Sequence, residues 1–158
     1  MARAQRVAGL DATTRYRQAM GRIIEARFEE MWAHRDGTIL GRDPEALHDM
    51  RVGSRRLRAA MDVAVDCFPK KYLYYHRTVK QLTDVLGGVR DMDVMRDALL
   101  AYRDSRPAGE RPAINRLIAD VRAEREQKRT ELIAFFHRLD VERFDVRFRG
   151  FIAEHSHG

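Results

Sequence analysis

The chain has 158 residues, with 30 basic residues against 24 acidic ones and a formal charge of +6. Four Pro and ten Gly are too few for a turn-rich β-sandwich, and one Cys excludes a disulfide framework or a thiolate zinc cluster. No apolar run approaches the ~18 residues of a membrane span. Of the basic residues 26 are Arg and 4 are Lys. That bias suits the planar, two-pronged grip of guanidinium on phosphate oxygens, and it suits a codon preference equally well. The stretch from Met1 to Leu10 carries Arg3 and Arg6 but no apolar core of a signal peptide. Export is therefore not expected, and the cytoplasm is the default compartment.

Apolar spacing is helical nearly throughout, so the expected class is all-α: an antiparallel bundle of four to five main helices, with residues 1–158 read as one domain. A first helix is predicted from Thr13 to His34, its inner face marked by Tyr16, Met20, Ile23, Ile24 and Met31. Arg35 to Arg42, with Gly37 and Gly41, is predicted as a loop. Asp43 is a good N-cap and Pro44 is preset for a first helical position, so a second helix should run from there to about Phe68, stopped by Pro69. A third runs from about Lys71 to Leu86 and is expected to break at Gly87-Gly88. A shorter helix from Asp91 to Tyr102 follows, then a polar linker from Arg103 to Arg111. A long helix from Pro112 to Leu139 precedes a tail, 141–158, that contains Phe144, Phe148 and Phe151 and has the least determined structure. Cys67 lies between core residues and reads as a buried structural thiol.

The second helix is expected to carry two stripes. Leu47, Met50, Leu57, Met61, Ala64 and Phe68 form the apolar one. His48, Arg51, Arg55 and Arg58, spaced i, i+3, i+7, i+10, form a basic stripe at its border, with Arg56 off the line. Like charges on successive turns repel by a few tenths of a kcal/mol per pair, and a bound anion would relieve that; a plainly solvated face is the alternative. Gly53 and Ser54 are small enough mid-helix to admit another backbone or a ligand. On the long helix Ile114, Leu117, Ile118, Val121, Leu132, Phe135, Phe136 and Leu139 share a face, and Arg125 and Lys128 interrupt it; Arg27 does the same on the first helix. Cations in an apolar stripe must snorkel, pair with carboxylates such as Glu30 or Glu124, or line a shared anion cavity. Lys80 lies beside the apolar stripe of the third helix, and Arg90 follows the glycines. Asp91 or Asp93 could cap the next helix, hold Arg90, or hold Mg²⁺.

These segments together resemble the CHAD family, named for a histidine in an α-helical domain. The residues that carry the resemblance are Ala46-Leu47-His48-Asp49-Met50-Arg51-Val52, Arg55-Arg56-Leu57-Arg58, Phe68-Pro69, Val79-Lys80-Gln81-Leu82 and Leu86-Gly87-Gly88-Val89-Arg90-Asp91-Met92-Asp93-Val94. The match is specific over residues 15–102 and looser over 112–140. It implies a helical bundle that binds inorganic polyphosphate, without catalysis or cofactor, in a basic groove or pore, and an association with polyphosphate granules. The site implied consists of His48, Arg51, Arg55, Arg56, Arg58, Lys80 and Arg90, joined by Arg125, Lys128 and Arg129. Family members contain two related helical halves, and this chain shows the pattern of one. A homodimer that rebuilds the pair around a shared channel is therefore expected.

Two other functions fit parts of the sequence. A basic helical module could bind nucleic acid, but the aromatic residues read as core and offer no stacking row. His48-Asp49 is the dipeptide found in metal-dependent phosphohydrolases, yet His34, His76 and His137 are scattered, and His155 and His157 fall in the tail. No membrane partner and no metal are expected.

Overall fold

The computed structural model describes residues 3–156; Met1, Ala2, His157 and Gly158 lie outside them. The described residues form six α-helices and one 3-10 turn, and no strand. In chain order these are α1 (Tyr16–Trp32), α2 (Arg35–Leu40), α3 (Pro44–Val63), the 3-10 turn Val65–Cys67, α4 (Tyr72–Asp104), α5 (Arg111–Val141) and α6 (Phe144–Ser156). The all-α bundle with five main helices is as the periodicity requires; α2 is a sixth, short one. No helix among the described residues is long and apolar enough to cross a membrane.

Helix α3 shows how local sequence sets the frame. Asp43 accepts a hydrogen bond from the Glu45 N–H at 2.9 Å, and Pro44 occupies the first turn. Phe68 is extended ahead of Pro69, as sterics before proline demand. All six residues of the apolar stripe are buried. Gly53 has a specific duty: a Cβ there would stand 2.9 Å from the Met31 Cα. The small residue therefore admits the α1 backbone. Ser54 is buried and its hydroxyl donates to the Arg51 carbonyl. Helix α4 packs on the other side of α3, α5 packs on α4, and α6 closes the bundle against α1.

Three expectations about elements need correction. Helix α4 does not break at Gly87-Gly88; it runs unbroken for 33 residues. Each Gly costs about 1 kcal/mol of helix propensity. Leu82, Leu86 and Val89 are buried on one face on both sides of the pair, each worth about 1.5–3 kcal/mol, so burial outweighs the local preference. Asp91 and Asp93 consequently cap nothing. Arg35 to Leu40 is helical, not a loop, and ends where Gly41 takes a φ of 69°. The tail is ordered as α6: Phe144, Phe148 and Phe151 are buried, and the Phe28 and Phe148 ring centroids are 4.8 Å apart. Two residues assigned to inner faces, Tyr16 and Leu117, are exposed, while Cys67 is buried as expected.

The core draws on residues from Met20 to Ile152. Ile114, Ile118 and Val121 are also buried but lie outside this main cluster. All three lie in the first half of α5, which packs on α4.

Candidate functional site

A helix that repeats every 3.6 residues places Arg51, Arg55 and Arg58 on one side of α3 over a rise of about 10 Å. Across from them, the unbroken α4 brings Thr83, Asp84, Gly87, Gly88 and Asp91 onto one face. Together with Ala59 and Asp62 these residues line an open groove of about 630 Å³. The glycines form its floor. A Cβ at Gly87 would meet the Arg51 Nε at 3.2 Å, and one at Gly88 would meet the Lys128 Cδ at 3.1 Å. The pair thus lets a cation from α3 and a cation from α5 lie close against the α4 backbone at adjacent positions.

The pairing of charges separates structural from available arginines. Among the described residues every half-buried Arg has a hydrogen-bond, ion-pair or ring partner except Arg51, Arg58 and Arg90. The Arg51 Nε is fully buried and donates to nothing, which ordinarily costs about 1–3 kcal/mol. Arg55 and Lys80 are exposed and Lys128 is half-buried, and these too lack protein partners. Asp84 and Asp91 put negative charge on the far wall, whereas Asp62 is occupied by the His76 Nε2 at 2.6 Å.

Not every expected site residue reaches this groove. Arg125 donates from Nε to Asp93 Oδ1 at 2.5 Å, and Asp93 is fully buried. Burial disfavours the Arg125 charge, but Asp93, and Glu126 beside it, outweigh that and raise its pKa. Arg125 is therefore the partner of a buried carboxylate, not a free ligand. Arg129 donates to the Thr38 and Ile39 carbonyls at 3.0 and 2.5 Å and closes the C-terminus of α2. Arg56 lines a different cavity, on the α1 side of α3, with Glu30, His34, Asp49 and Gly53. Arg27 pairs with Glu30 at 2.9 Å and also donates to the Gln5 carbonyl, so it joins no anion cavity. Asp93, expected to cap or to hold Arg90, instead meets Arg125 and, at 3.4 Å, Arg96. Lys80 and Arg90 lie on α4 next to the lining residues Asp84 and Asp91 but do not themselves line the groove.

His48 is half-buried one turn before Arg51, and its Nδ1 is buried without a partner. Its neighbours are Glu45 and Asp49; one ligand atom of each of the three lies within 4.8 Å of the others. All three come from the first turns of α3, whereas a phosphohydrolase site of the His-Asp type takes ligands from several helices. Among the described residues no other group of three such side chains comes together.

Sequence reasoning missed Thr83, Asp84 and the glycines as lining. Their signal was present, since 84, 87/88 and 91 repeat at helical spacing, but it could be read only with α4 continuous.

Comparison with known proteins follows the same outline. The profile of the CHAD domain matches residues 22–158. No curated protein matches the chain. The crystal structure of the CHAD domain from the plant Ricinus communis is similar, with a TM-score of 0.76 and 27% identity over 98% of this chain. The match takes up 51% of the plant chain, so this protein spans about half its length.

Proposed function

The chain belongs to the CHAD domain family, and from that premise we propose that it binds inorganic polyphosphate, without turning it over, along the groove between α3 and α4. The observation that carries this reading is the set of unpaired cations. Arg51, Arg55 and Arg58 stand on successive turns facing a glycine floor, while among the described residues the half-buried arginines elsewhere, Arg90 apart, are occupied. Guanidinium groups without a carboxylate partner retain the full capacity to bind phosphate oxygens two at a time. A linear polyanion suits a row one helix turn apart better than a single small ligand does. Lys80, Arg90 and Lys128 extend the positive field around the row, and His48 adds charge when protonated. None of the lining residues is aromatic, so nothing in the groove would stack a nucleobase. Recruitment to polyphosphate granules in the cytoplasm would follow from such binding.

The test is a titration of the 158-residue chain with polyphosphate of defined length. Each charge-assisted contact is worth about 1.5–3 kcal/mol. Arg51→Ala combined with Arg55→Ala should lower affinity by at least about 10- to 150-fold, the loss of one full contact, with the exposed Arg55 adding less than a second. Both positions are off the apolar stripe, so helicity should hold. The slope of log affinity against log salt should flatten, by roughly 0.7 per contact if single-stranded nucleic acid is the guide. Competition with RNA at fixed salt should leave polyphosphate bound. Unchanged affinity in the double variant, or phosphate release on adding Mg²⁺ or Mn²⁺, would overturn the proposal.

A further inference from the structure

Lysine is scarce in this chain, yet three of its four lysines, Lys70, Lys71 and Lys80, fall at the start of α4. Arg77 lies among them, and no Asp or Glu occurs from Cys67 to Thr83. Farther along the same helix the signs mix: from Asp84 to Asp104 five Asp are interleaved with three Arg. Lys70, Lys71 and Arg77, with Leu73, Tyr74 and His76, line a cavity of about 570 Å³, and none of its lining residues is a carboxylate. The three cations are exposed, and none has a hydrogen-bond, ion-pair or ring partner among the described residues. The adjoining carboxylate, Glu142, is engaged elsewhere: it accepts from the Tyr74 hydroxyl at 2.7 Å and lies 4.0 Å from Arg138.

Two features join this cavity to the groove. Asp62 lines the groove, His76 lines the cavity, and the His76 Nε2 donates to the Asp62 Oδ1 at 2.6 Å. The carboxylate at the boundary is thereby held by a ring N–H instead of standing bare before a passing anion. Lys80, exposed and unpaired, stands one turn from His76 and Arg77 and one turn from the groove residue Asp84. Unpaired cations thus continue from Arg58 through Lys80 to Arg77, Lys70 and Lys71.

We propose that the cavity is a second phosphate-binding subsite, occupied by a later stretch of the same polyphosphate chain that lies in the groove; the proposal rests on the groove reading. It lengthens the row by the stretch of α4 from Asp84 back to Tyr72, about 18 Å of helix rise. A nucleic acid would need a platform for its bases, and Tyr74 offers none. Arg147 lies 5.6 Å over its ring, and Tyr75 meets it edge-on at 5.2 Å. Lysine suits an exposed subsite, where a flexible point charge follows the chain, while the half-buried groove uses guanidinium forks.

The test titrates the 158-residue chain at 0.15 M salt with tripolyphosphate, short enough for the groove alone, and with long-chain polyphosphate of defined length. Screening then acts over about 8 Å, and Arg77 lies about 15 Å of helix rise from Gly87, so the two sites report separately. Lys70→Gln, Lys71→Gln and Arg77→Gln, made together, keep the side-chain stems and the helix propensity. Three exposed contacts of surface strength should lower long-chain affinity by about 10-fold and leave tripolyphosphate affinity within about twofold. Arg103→Gln, Arg106→Gln and Arg111→Gln remove the same charge at the far end of α4 and should leave long-chain affinity within about twofold. Circular dichroism of both variants should match the wild type. Long-chain affinity that is unchanged in the first variant, or that falls as far in the second, would overturn the subsite. So would equal losses for both chain lengths. The groove reading fails separately, if Arg51→Ala with Arg55→Ala leaves tripolyphosphate affinity unchanged.

Discussion

Replacing Arg125 separates its structural duty from a role in binding. The Asp93 side chain is 1% exposed and that of Arg125 is 15%, so the pair is shielded from solvent. Arg125→Met leaves the carboxylate buried with only Arg96 at 3.4 Å, and its Oδ2 already lacks a partner. Stripping one partner from a buried ion pair costs 3–5 kcal/mol, and the remaining Arg96 puts this case near the lower figure, about 3 kcal/mol. For a chain of this size 1 kcal/mol moves Tm by about 2–4 °C, so a fall of roughly 6–12 °C is expected. Asp93→Leu made together with Arg125→Met removes both charges and should recover most of the loss, because two apolar groups leave nothing unsatisfied. Thermal and urea melts of the three variants and the wild type form a double-mutant cycle with a coupling of 2 kcal/mol or more, by the same estimate. Polyphosphate titration of the doubly substituted chain supplies the second readout: affinity should stay within about twofold of wild type. A single Arg125→Met variant as stable as wild type would refute the pairing argument. A tenfold loss of affinity in the restabilised chain would return Arg125 to the binding site.

Two further outcomes follow from the groove floor and from α2. Gly87→Ala with Gly88→Ala gains up to about 1 kcal/mol of helix propensity per site, yet each Cβ lands within 3.2 Å of Arg51 or Lys128 atoms. Tm should hold or rise while polyphosphate affinity falls severalfold, and an affinity equal to wild type would show that the glycines do not position these cations. Arg129→Met removes two hydrogen bonds to the Thr38 and Ile39 carbonyls, worth about 1.5–3 kcal/mol each at most for a charged donor to a neutral acceptor. It should lower Tm and leave binding unchanged; the opposite pattern would place Arg129 in the groove.

Much of the fold was legible because burial follows period. The stripe from Leu47 to Phe68 and the row Tyr72, Tyr75, Val79, Leu82 and Leu86 are buried residue for residue, and the Asp43-Pro44 start depends on atoms three residues apart at most. The groove's near wall was legible for the same reason, since Arg51, Arg55 and Arg58 need only the pitch of one helix to align. The Gly87-Gly88 pair misled because glycine propensity is a local quantity, about 1 kcal/mol, and the burial that overrides it comes from helices distant in sequence. Tail residue Phe148 was undetermined because its partners, Phe28 and Tyr75, lie far from it along the chain.

The sequence by itself determined that this chain is helical, where the strongest helices start, and that one face of α3 is basic. Periodicity and capping act within a few turns, so no neighbour is needed to read them. Only the tertiary structure decided which cations are free. Arg125 interrupts an apolar stripe just as Lys128 does, yet Asp93 of α4 lies within ion-pair distance of Arg125 and Lys128 has no such partner, whereas Arg27 pairs with Glu30 one turn along its own helix, as pitch alone allows. Ion pairing falls off within a few ångströms and depends on the partner's place in space, which helical pitch does not encode. For Arg125 and Lys128, availability for a phosphate is therefore a property of the folded neighbourhood, set by which carboxylates the packing of α4 and α5 brings within reach.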